Sequence, residues 1–235
     1  MKRSEINALI KKFEALLEQY RFAVPPYLSW TPEEWADKGK EYDEIRDNML
    51  GWDVTDYGMG DFDTLGLALI TLRNGNVHNP KYTKCYAEKI IMCDEGQVSP
   101  MHFHWNKMED IINRGGNDIH FTLYNADKDE HLADTDVEIC RDGRRYFVKA
   151  GETIVLRPGE SLSLYPYYYH EFVIPKNGKG PVLIGEVSMC NDDNTDNRFL
   201  KPLGRFPTIE EDEPPYRLLC TEYPKAKDCS TGGSV

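Results

Sequence analysis

Hydrophobic side chains change their spacing along the chain near residue 50, which divides the sequence into a helical start and a β-rich remainder. Before that point they recur every three or four residues, the spacing of one face of an α-helix. Beyond it come short runs of β-branched and aromatic residues, separated by turn-forming dipeptides such as Asn74-Gly75 and Asp142-Gly143. Many short strands with no long helix between them predict an antiparallel barrel or sandwich.

The segment before residue 50 is predicted to contain three helices. They are expected over residues 4–20, 32–41 and 42–48. The apolar face of the first consists of Ile6, Leu9, Ile10, Phe13, Leu16 and Leu17. Ser4 is a suitable N-cap for this helix. Thr31 and Glu34 form a capping box for the second helix, which has a proline at its first position.

The remainder is predicted to form one barrel with a strap along it. Candidate strands cover residues 67–72, 82–93, 120–124, 137–140, 145–148, 153–156, 161–165, 171–174 and 182–189. After residue 190 the alternation stops, and a Pro- and acid-rich segment with scattered aromatic residues is expected to pack along the barrel. We predict a single domain over 1–235. Its parts are a helical extension (1–50), the barrel (51–190), the strap (191–227) and a small polar end (228–235) that is expected to be disordered.

Composition narrows the possible partners and the compartment. The chain carries 28 Lys and Arg against 40 Asp and Glu, a net charge of −12. An acidic surface of this size repels nucleic acid and anionic lipid, so neither nucleic acid nor a membrane is an expected partner. No apolar run approaches the ~20 residues of a membrane helix. The six cysteines include no CxxC pair, so reduced thiols and a cytoplasmic location are expected.

One stretch, residues 96–116, carries residues with metal-binding chemistry. His102 and His104 are two positions apart, so on a strand both side chains leave the same face, ~6–7 Å apart along the chain. Glu109 follows after five residues, enough for a turn to return its carboxylate to the same point. Two imidazoles and a carboxylate suit Mn²⁺, Fe²⁺, Co²⁺, Ni²⁺ or Zn²⁺. Two same-face histidines can be ordinary surface residues, but Pro100, the flanking glycines and the offset of Glu109 favour a metal site.

A third imidazole is expected from His170, which is predicted to begin one strand just after another ends. Three nitrogens and one carboxylate would leave coordination positions open for water or substrate. The other histidines, His78, His120 and His131, have no partners at metal-ligand spacing and are expected to be ordinary core or surface residues.

These residues match the first motif of a known superfamily. The glycines, the two histidines and the glutamate of 96–116 fit the first cupin motif at every defined position. The second cupin motif is matched at its histidine, His170, without the glycine and the asparagine that normally accompany it. The chain therefore resembles the cupins over residues 82–189. The resemblance implies a mainly β fold, an antiparallel jelly-roll β-barrel with the metal inside its mouth.

A narrower resemblance covers most of the chain. The strings HFHWNKMEDIINRGGN, IGEVSMCNDDNTDNRF and GRFPTIEEDEPP resemble the D-lyxose ketol-isomerases, a cupin family of sugar isomerases. This resemblance implies an Mn²⁺-dependent aldose–ketose isomerase that interconverts D-lyxose and D-xylulose, and also D-mannose and D-fructose. Co²⁺, Ni²⁺ and Zn²⁺ suit the same ligands. The resemblance also implies a homodimer.

Isomerisation requires acid–base groups near the metal, and Glu186 and Lys107 are the catalytic candidates. Glu186 is a carboxylate in an apolar strand, where burial favours proton transfer, but a structural pair with a basic residue explains it equally well. Lys107 lies between two metal ligands, where it can stabilise an enediolate or be a solvated loop residue. Lys89, Asp196 and Arg198 are candidates for substrate binding. The alternative for Lys89 is a charge on the outer face of its strand. The alternative for Asp196 and Arg198 is a strap held by salt bridges.

Two other functions remain compatible with the sequence, because a fold alone does not decide a function. An Fe²⁺-dependent cupin dioxygenase would require an apolar or aromatic substrate pocket. A non-catalytic sugar-binding cupin would show no turnover on a panel of pentoses and hexoses.

Overall fold

The computed structural model describes residues 1–227, and this part of the chain contains three α-helices and fourteen strands. The expectations for 228–235 and for Cys229 lie outside the described residues. The helices are α1 (Arg3–Gln19), α2 (Pro32–Ala36) and α3 (Asp43–Asp47), with 3₁₀ turns at Pro26–Ser29 and Lys40–Tyr42. The strands are β1 (Gly51–Thr55), β2 (Leu67–Arg73), β3 (Tyr86–Cys93), β4 (Val98–Phe103), β5 (Glu109–Gly116), β6 (Ile119–Ala126), β7 (Leu132–Ala133), β8 (Val137–Arg141), β9 (Arg144–Val148), β10 (Thr153–Leu156), β11 (Ser161–Leu164), β12 (Tyr168–Val173), β13 (Val182–Met189) and β14 (Arg198–Phe199).

The strands form two antiparallel sheets that enclose an apolar interior. The larger sheet has the order β1-β2-β3-β13-β5-β11-β8-β9, and the smaller has the order β10-β6-β12-β4-β14, with β7 attached to β6. Their inner faces contribute Leu69, Ile91, Ile111, Phe121, Leu123, Ile154, Phe172 and Ile184 to one hydrophobic cluster. The predicted mainly β, jelly-roll architecture of the cupin type is therefore confirmed.

Helices α1 and α2 cover the outer face of the larger sheet. On β3, Ile90 and Met92 belong to the cluster shared with the helices, whereas Ile91 and Cys93 belong to the barrel interior. Because both faces of these strands are buried, their sequences are continuous apolar runs rather than alternating ones. Within residues 1–227 no helix is long and apolar enough to cross a membrane.

Two helix ends differ from the sequence expectation. Ser4 is not the N-cap of α1, because the helix starts at Arg3 and Lys2 occupies the N-cap position. Ser4 instead donates its backbone N–H and its hydroxyl to Asp212 of the strap. α2 has the predicted capping box but ends at Ala36, shortly before Gly39, whose unrestricted backbone disfavours continued helix.

The strand pattern shows one confirmation and several omissions, because β1, β4, β5, β7 and β14 lie outside the predicted ranges. The Asp142-Gly143 hairpin joins β8 to β9, with φ of 49° and 81° at its two turn residues. Such a two-residue turn requires left-handed backbone, which this dipeptide tolerates. Strand β1 was not predicted: its five residues are all buried, so its sequence lacks the alternation of a half-exposed strand.

The strap is tied to the helical extension by charged contacts. Arg3 of α1 lies 2.7 Å from Glu211 and also pairs with Glu222. Asn7 donates to Glu213 at 2.6 Å. Since Arg3 and Asn7 are buried, these contacts hold the strap against the barrel on the side of α1.

Candidate active site

A cavity opens between the two sheets and the strap, and it encloses about 610 Å³ including its mouth. Part of its wall is apolar and is formed by Leu67, Leu69, Ile91, Ile111, Phe121 and Phe172. The polar part is formed by Lys89, Ser99, His102, His104, Lys107, Glu109, His170, Glu186, Asp193, Asn197 and Arg205. The structure thus brings the four predicted metal ligands together with Glu186, Lys107 and Lys89.

The three histidines meet because two strands pair. His102 on β4 lies directly opposite His170 on β12, with the ring centroids 4.1 Å apart. His104 follows β4 and shares the face of His102, as the two-residue spacing predicts. Candidate ligand atoms of the three side chains lie within 4.8 Å of one another. His170 lies inside β12 rather than at its start.

Each imidazole is oriented by a backbone carbonyl. The carbonyl oxygen is that of Pro100 for His102 (2.7 Å), of Asp196 for His104 (2.6 Å) and of Tyr168 for His170 (2.9 Å). A carbonyl only accepts hydrogen bonds, so each Nδ1 carries a proton, and in the neutral imidazole the lone pair then lies on Nε2. Nε2 of His104 is buried and makes no hydrogen bond with any described residue. This arrangement fits a metal ion.

Glu109 supplies a carboxylate beside these nitrogens. Its Oε1 lies 3.5 Å from Nε2 of His104 and 3.3 Å from Nε2 of His170. Burial opposes ionisation of Glu109, but Lys107 and His104 outweigh it and hold the pKa of the carboxyl well below its usual range. Burial and the neighbouring imidazoles lower the pKa of His102. An ionised carboxylate and neutral imidazoles are the forms that bind metal.

Two carboxylates and two lysines form a buried cluster next to the histidines. Glu186 on β13 lies opposite Lys89 on β3. Nζ of Lys107 is 2.7 Å from Oε2 of Glu109 and 3.1 Å from Oε1 of Glu186. Nζ of Lys89 is 3.4 Å from the same oxygen of Glu186. All four side chains are buried, so Lys107 is not a solvated loop residue and Lys89 does not lie on the outer face.

Lys107 remains an ammonium in this cluster. Burial by itself would lower its pKa, but the carboxylates of Glu109 and Glu186 outweigh burial and raise the pKa above its ordinary value. Glu186 is therefore paired with basic side chains, and the pair faces the cavity.

The two strap residues predicted to bind substrate lie beside the cavity wall. Arg198 contacts Glu130, with Nε 3.1 Å from Oε2. The carboxylate of Asp196 accepts from the backbone N–H groups of Asn106 and Lys107, both at 2.9 Å. Neither Asp196 nor Arg198 is among the residues that line the cavity. The structure thus places both residues in contact with other protein groups, outside the cavity wall.

Three polar strap residues line the cavity instead, beside Phe199 of the same segment, and sequence reasoning missed them. They are Asp193, Asn197 and Arg205. Arg205 lies 2.5 Å from Asp53 and 3.0 Å from Asp193, while its buried Nη1 has no hydrogen-bond partner within residues 1–227. The strap has no periodicity that could reveal which of its polar residues face inward.

Asp193→Asn is expected to reduce the acid sensitivity of the fold. Burial opposes ionisation of Asp193, but Arg205 and Lys89 hold its pKa well below the ordinary value. A carboxylate of this kind stabilises the fold fully above the unfolded-state pKa of about 3.9 and loses that contribution as the pH falls towards the folded-state pKa. Between about pH 5 and pH 3 the wild type should lose about 1 kcal/mol more unfolding free energy than the variant. Urea denaturation at both pH values measures the difference, and equal losses would contradict the buried ion pair.

Comparison with known proteins gives strong matches over nearly the whole chain. The family model described as D-lyxose isomerase matches residues 1–223. A D-lyxose/D-mannose isomerase of Serratia proteamaculans is 48% identical over 224 residues, which cover 95% of this chain and 98% of that protein. A D-lyxose/D-mannose isomerase of Escherichia coli O157:H7 is 47% identical with the same coverage.

Solved structures with a similar fold include two L-ribose isomerases in complex with L-ribose. The enzyme of Cellulomonas parahominis has a TM-score of 0.60 and 14% identity, over 89% of this chain and 98% of that chain. The enzyme of Acinetobacter sp. DL28 has a TM-score of 0.59 and 14% identity, over 88% and 98%. At this level of identity the likeness concerns the fold.

Proposed function

The chain belongs to the D-lyxose isomerase family and is a sugar isomerase, and on that premise we propose that it interconverts D-lyxose and D-xylulose in a metal-dependent reaction. We propose D-mannose and D-fructose as a second pair, because D-mannose shares the configuration of D-lyxose at C2, C3 and C4. The observation that carries the proposal is one cavity in which three imidazoles adjoin the buried Lys107–Glu186 pair. The names of the two bacterial relatives support both sugars.

The donor set fits a divalent cation. His102, His104, His170 and Glu109 would hold it, with nitrogen and oxygen donors that suit Mn²⁺ and also Co²⁺, Ni²⁺ or Zn²⁺. We propose Mn²⁺ as the ion. When bound, it supplies a Lewis acid for the C1 and C2 oxygens of the open-chain sugar.

We propose that Glu186 transfers the proton and that Lys107 stabilises the negative charge of the intermediate. Glu186 takes the proton from C2 of the aldose and returns it to C1, while the hydroxyl proton of O2 passes to O1, so that one carboxylate serves both directions. Lys107 is held as an ammonium by two carboxylates, which suits stabilisation of the negative oxygen of an enediolate better than proton donation. The buried cluster keeps bulk water away from the intermediate.

The sugar hydroxyls are proposed to bind the strap side of the cavity. Arg205 offers a buried Nη1 that has no partner among the described residues, and a sugar hydroxyl is an acceptor for it. Asn197 and Asp193 line the same wall. Nζ of Lys89 lies 3.9 Å from Asp193 and 3.4 Å from Glu186. A small polyol needs several such polar partners.

We also propose that the enzyme is a homodimer. Tyr86, Val187 and Met189 are 50%, 44% and 51% exposed, and Met189 lies opposite Tyr86 in the ladder between β3 and β13. Adjacent exposed apolar side chains are typical of protein contacts. Sedimentation analysis distinguishes a dimer from the 27.1 kDa monomer.

The decisive experiment is an isomerisation assay on D-lyxose after chelation and after re-addition of single metals. We expect chelation to abolish turnover and Mn²⁺ to restore it, with conversion of D-mannose under the same conditions. A chelated protein that keeps its activity would contradict metal dependence, and a metal-loaded protein that converts neither sugar would contradict the proposed reaction. In ²H₂O, proton transfer through an enediol incorporates deuterium into product, whereas a direct hydride shift does not.

A further inference from the structure

Asp196 of the strap contacts both a metal-binding residue and the buried lysine, although it does not line the cavity. Its backbone carbonyl oxygen is 2.6 Å from Nδ1 of His104. Its carboxylate accepts from the backbone N–H of Asn106 (2.9 Å), the Asn106 side chain (3.2 Å) and the backbone N–H of Lys107 (2.9 Å). Asp196 is only 7% exposed, so these contacts are shielded from water.

The turn that receives these contacts joins β4 to β5 and holds the parts of the site together. It begins with His104, contains Lys107 and leads into Glu109. Backbone N–H groups in such a turn have no ladder partners and need acceptors from elsewhere. One carboxylate of the strap supplies acceptors for two consecutive N–H groups, and this fixes the path of the turn and the base of the Lys107 side chain.

The contact to His104 has a separate consequence. The carbonyl oxygen of Asp196 accepts the Nδ1 proton and so directs Nε2 towards the position shared with the other two histidines. Partners of this kind orient ligating imidazoles and raise their basicity. The same residue therefore acts on His104 through its main chain and on Lys107 through its side chain.

We propose that Asp196 is a positioning residue that fixes His104 and Lys107 in one arrangement, so that metal affinity and the placement of Lys107 depend on the same carboxylate. The inference rests on the proposed function, since it takes His104 as a metal ligand. It gives the strap a role beyond lining the cavity, because loss of the Asp196 contacts would leave both His104 and Lys107 less firmly positioned.

Asp196→Asn tests the proposal, because the carboxamide turns an N–H₂ group towards one of the two backbone donors. We expect the Kd for Mn²⁺, measured by competitive titration calorimetry, to rise about 10- to 100-fold. At saturating Mn²⁺, kcat on D-lyxose should fall about 10-fold or more with a smaller change in KM, because Lys107 is displaced from the enediolate oxygen. A variant with a lower Tm but wild-type Mn²⁺ affinity would overturn the proposal.

Two further variants serve as controls. One addresses a folding defect of the Asp196→Asn protein, and the other addresses a general effect of replacing an aspartate by asparagine. Asn106→Asp, at an exposed position, sets a second carboxylate against Asp196 and should weaken Mn²⁺ binding several-fold. Asp142→Asn makes the same change in the distant β8–β9 hairpin, where the carboxylate accepts from Ser161 at 2.8 Å, and should leave Mn²⁺ affinity unchanged. Wild-type Mn²⁺ affinity in the Asp196 variant or in the Asn106 variant overturns the inference alone, whereas a wild-type enzyme that binds no Mn²⁺ overturns the proposed function as well.

Discussion

Glu186→Gln is expected to lower kcat on D-lyxose by about 10²- to 10⁴-fold, the range that a positioned acid–base group contributes, while the bound Mn²⁺ stays at the wild-type level. Glutamine keeps the shape of the side chain and an oxygen for Lys107, which lies 3.1 Å from Glu186 in the wild type, but it cannot accept the C2 proton. Lys107 also retains Glu109 at 2.7 Å, so the proposed metal ligands should not move.

The control for this change is Glu171→Gln. Glu171 is next to His170 on β12 but lies on the opposite face of the strand, because successive side chains alternate. It does not line the cavity, so the same loss of a carboxylate should leave kcat close to the wild-type value. A Glu186→Gln enzyme with more than a tenth of wild-type kcat would remove Glu186 from proton transfer.

Solvent exchange separates the proton-transfer role of Glu186 from a purely structural one. If Glu186 moves the proton, the Gln variant should lose deuterium incorporation from ²H₂O together with turnover and keep its Tm in the presence of Mn²⁺. If the buried pair with Lys89 and Lys107 is only structural, Tm should fall and the residual molecules should exchange at the wild-type rate. Quantitative ¹H NMR of the sugar and a thermal melt of the same sample give both results.

The grouping of the first proposed metal ligands could be predicted because their spacing along the chain is short. A separation of two residues on a strand places His102 and His104 on one face, and a short turn is enough to return Glu109 to them. In the structure Oε1 of Glu109 lies 3.5 Å from Nε2 of His104. The buried run of β2 and the Asp142-Gly143 hairpin were predictable for the same reason.

The rest of the cavity depends on contacts between distant parts of the chain. His170 is opposite His102 only because β12 pairs with β4, and no spacing rule specifies that register. Arg205 meets Asp53 across the barrel wall, from a strap with no periodic pattern. Asp196 was predicted to bind substrate because its charge is visible in the sequence, but the acceptors that the β4–β5 turn requires are visible only in three dimensions.

Replacing His102 and His104 with Ala together is expected to reduce bound Mn²⁺ from about one ion per chain to a trace and to abolish isomerisation. The pair supplies two of the three imidazoles whose ligand atoms lie within 4.8 Å, and His170 with Glu109 alone forms too small a donor set. The matched control is the double variant His120→Ala and His131→Ala, which removes two imidazoles outside this group. Its metal content and turnover should equal those of the wild type.

Stability gives a readout of the same site that does not depend on activity. An ion that binds only the folded state stabilises it by about 2.7 kcal/mol at a concentration of 100 Kd, which for a chain of this length raises Tm by about 5–10 °C. Removing buried imidazoles also changes Tm directly, so the quantity to compare is the shift between chelated and Mn²⁺-loaded samples of each protein. The shift should be present in the wild type and in the His120/His131 control and absent from the His102/His104 variant. An equal shift in all three proteins would place the ion elsewhere in the chain, and no shift in the wild type would contradict metal binding at the barrel mouth.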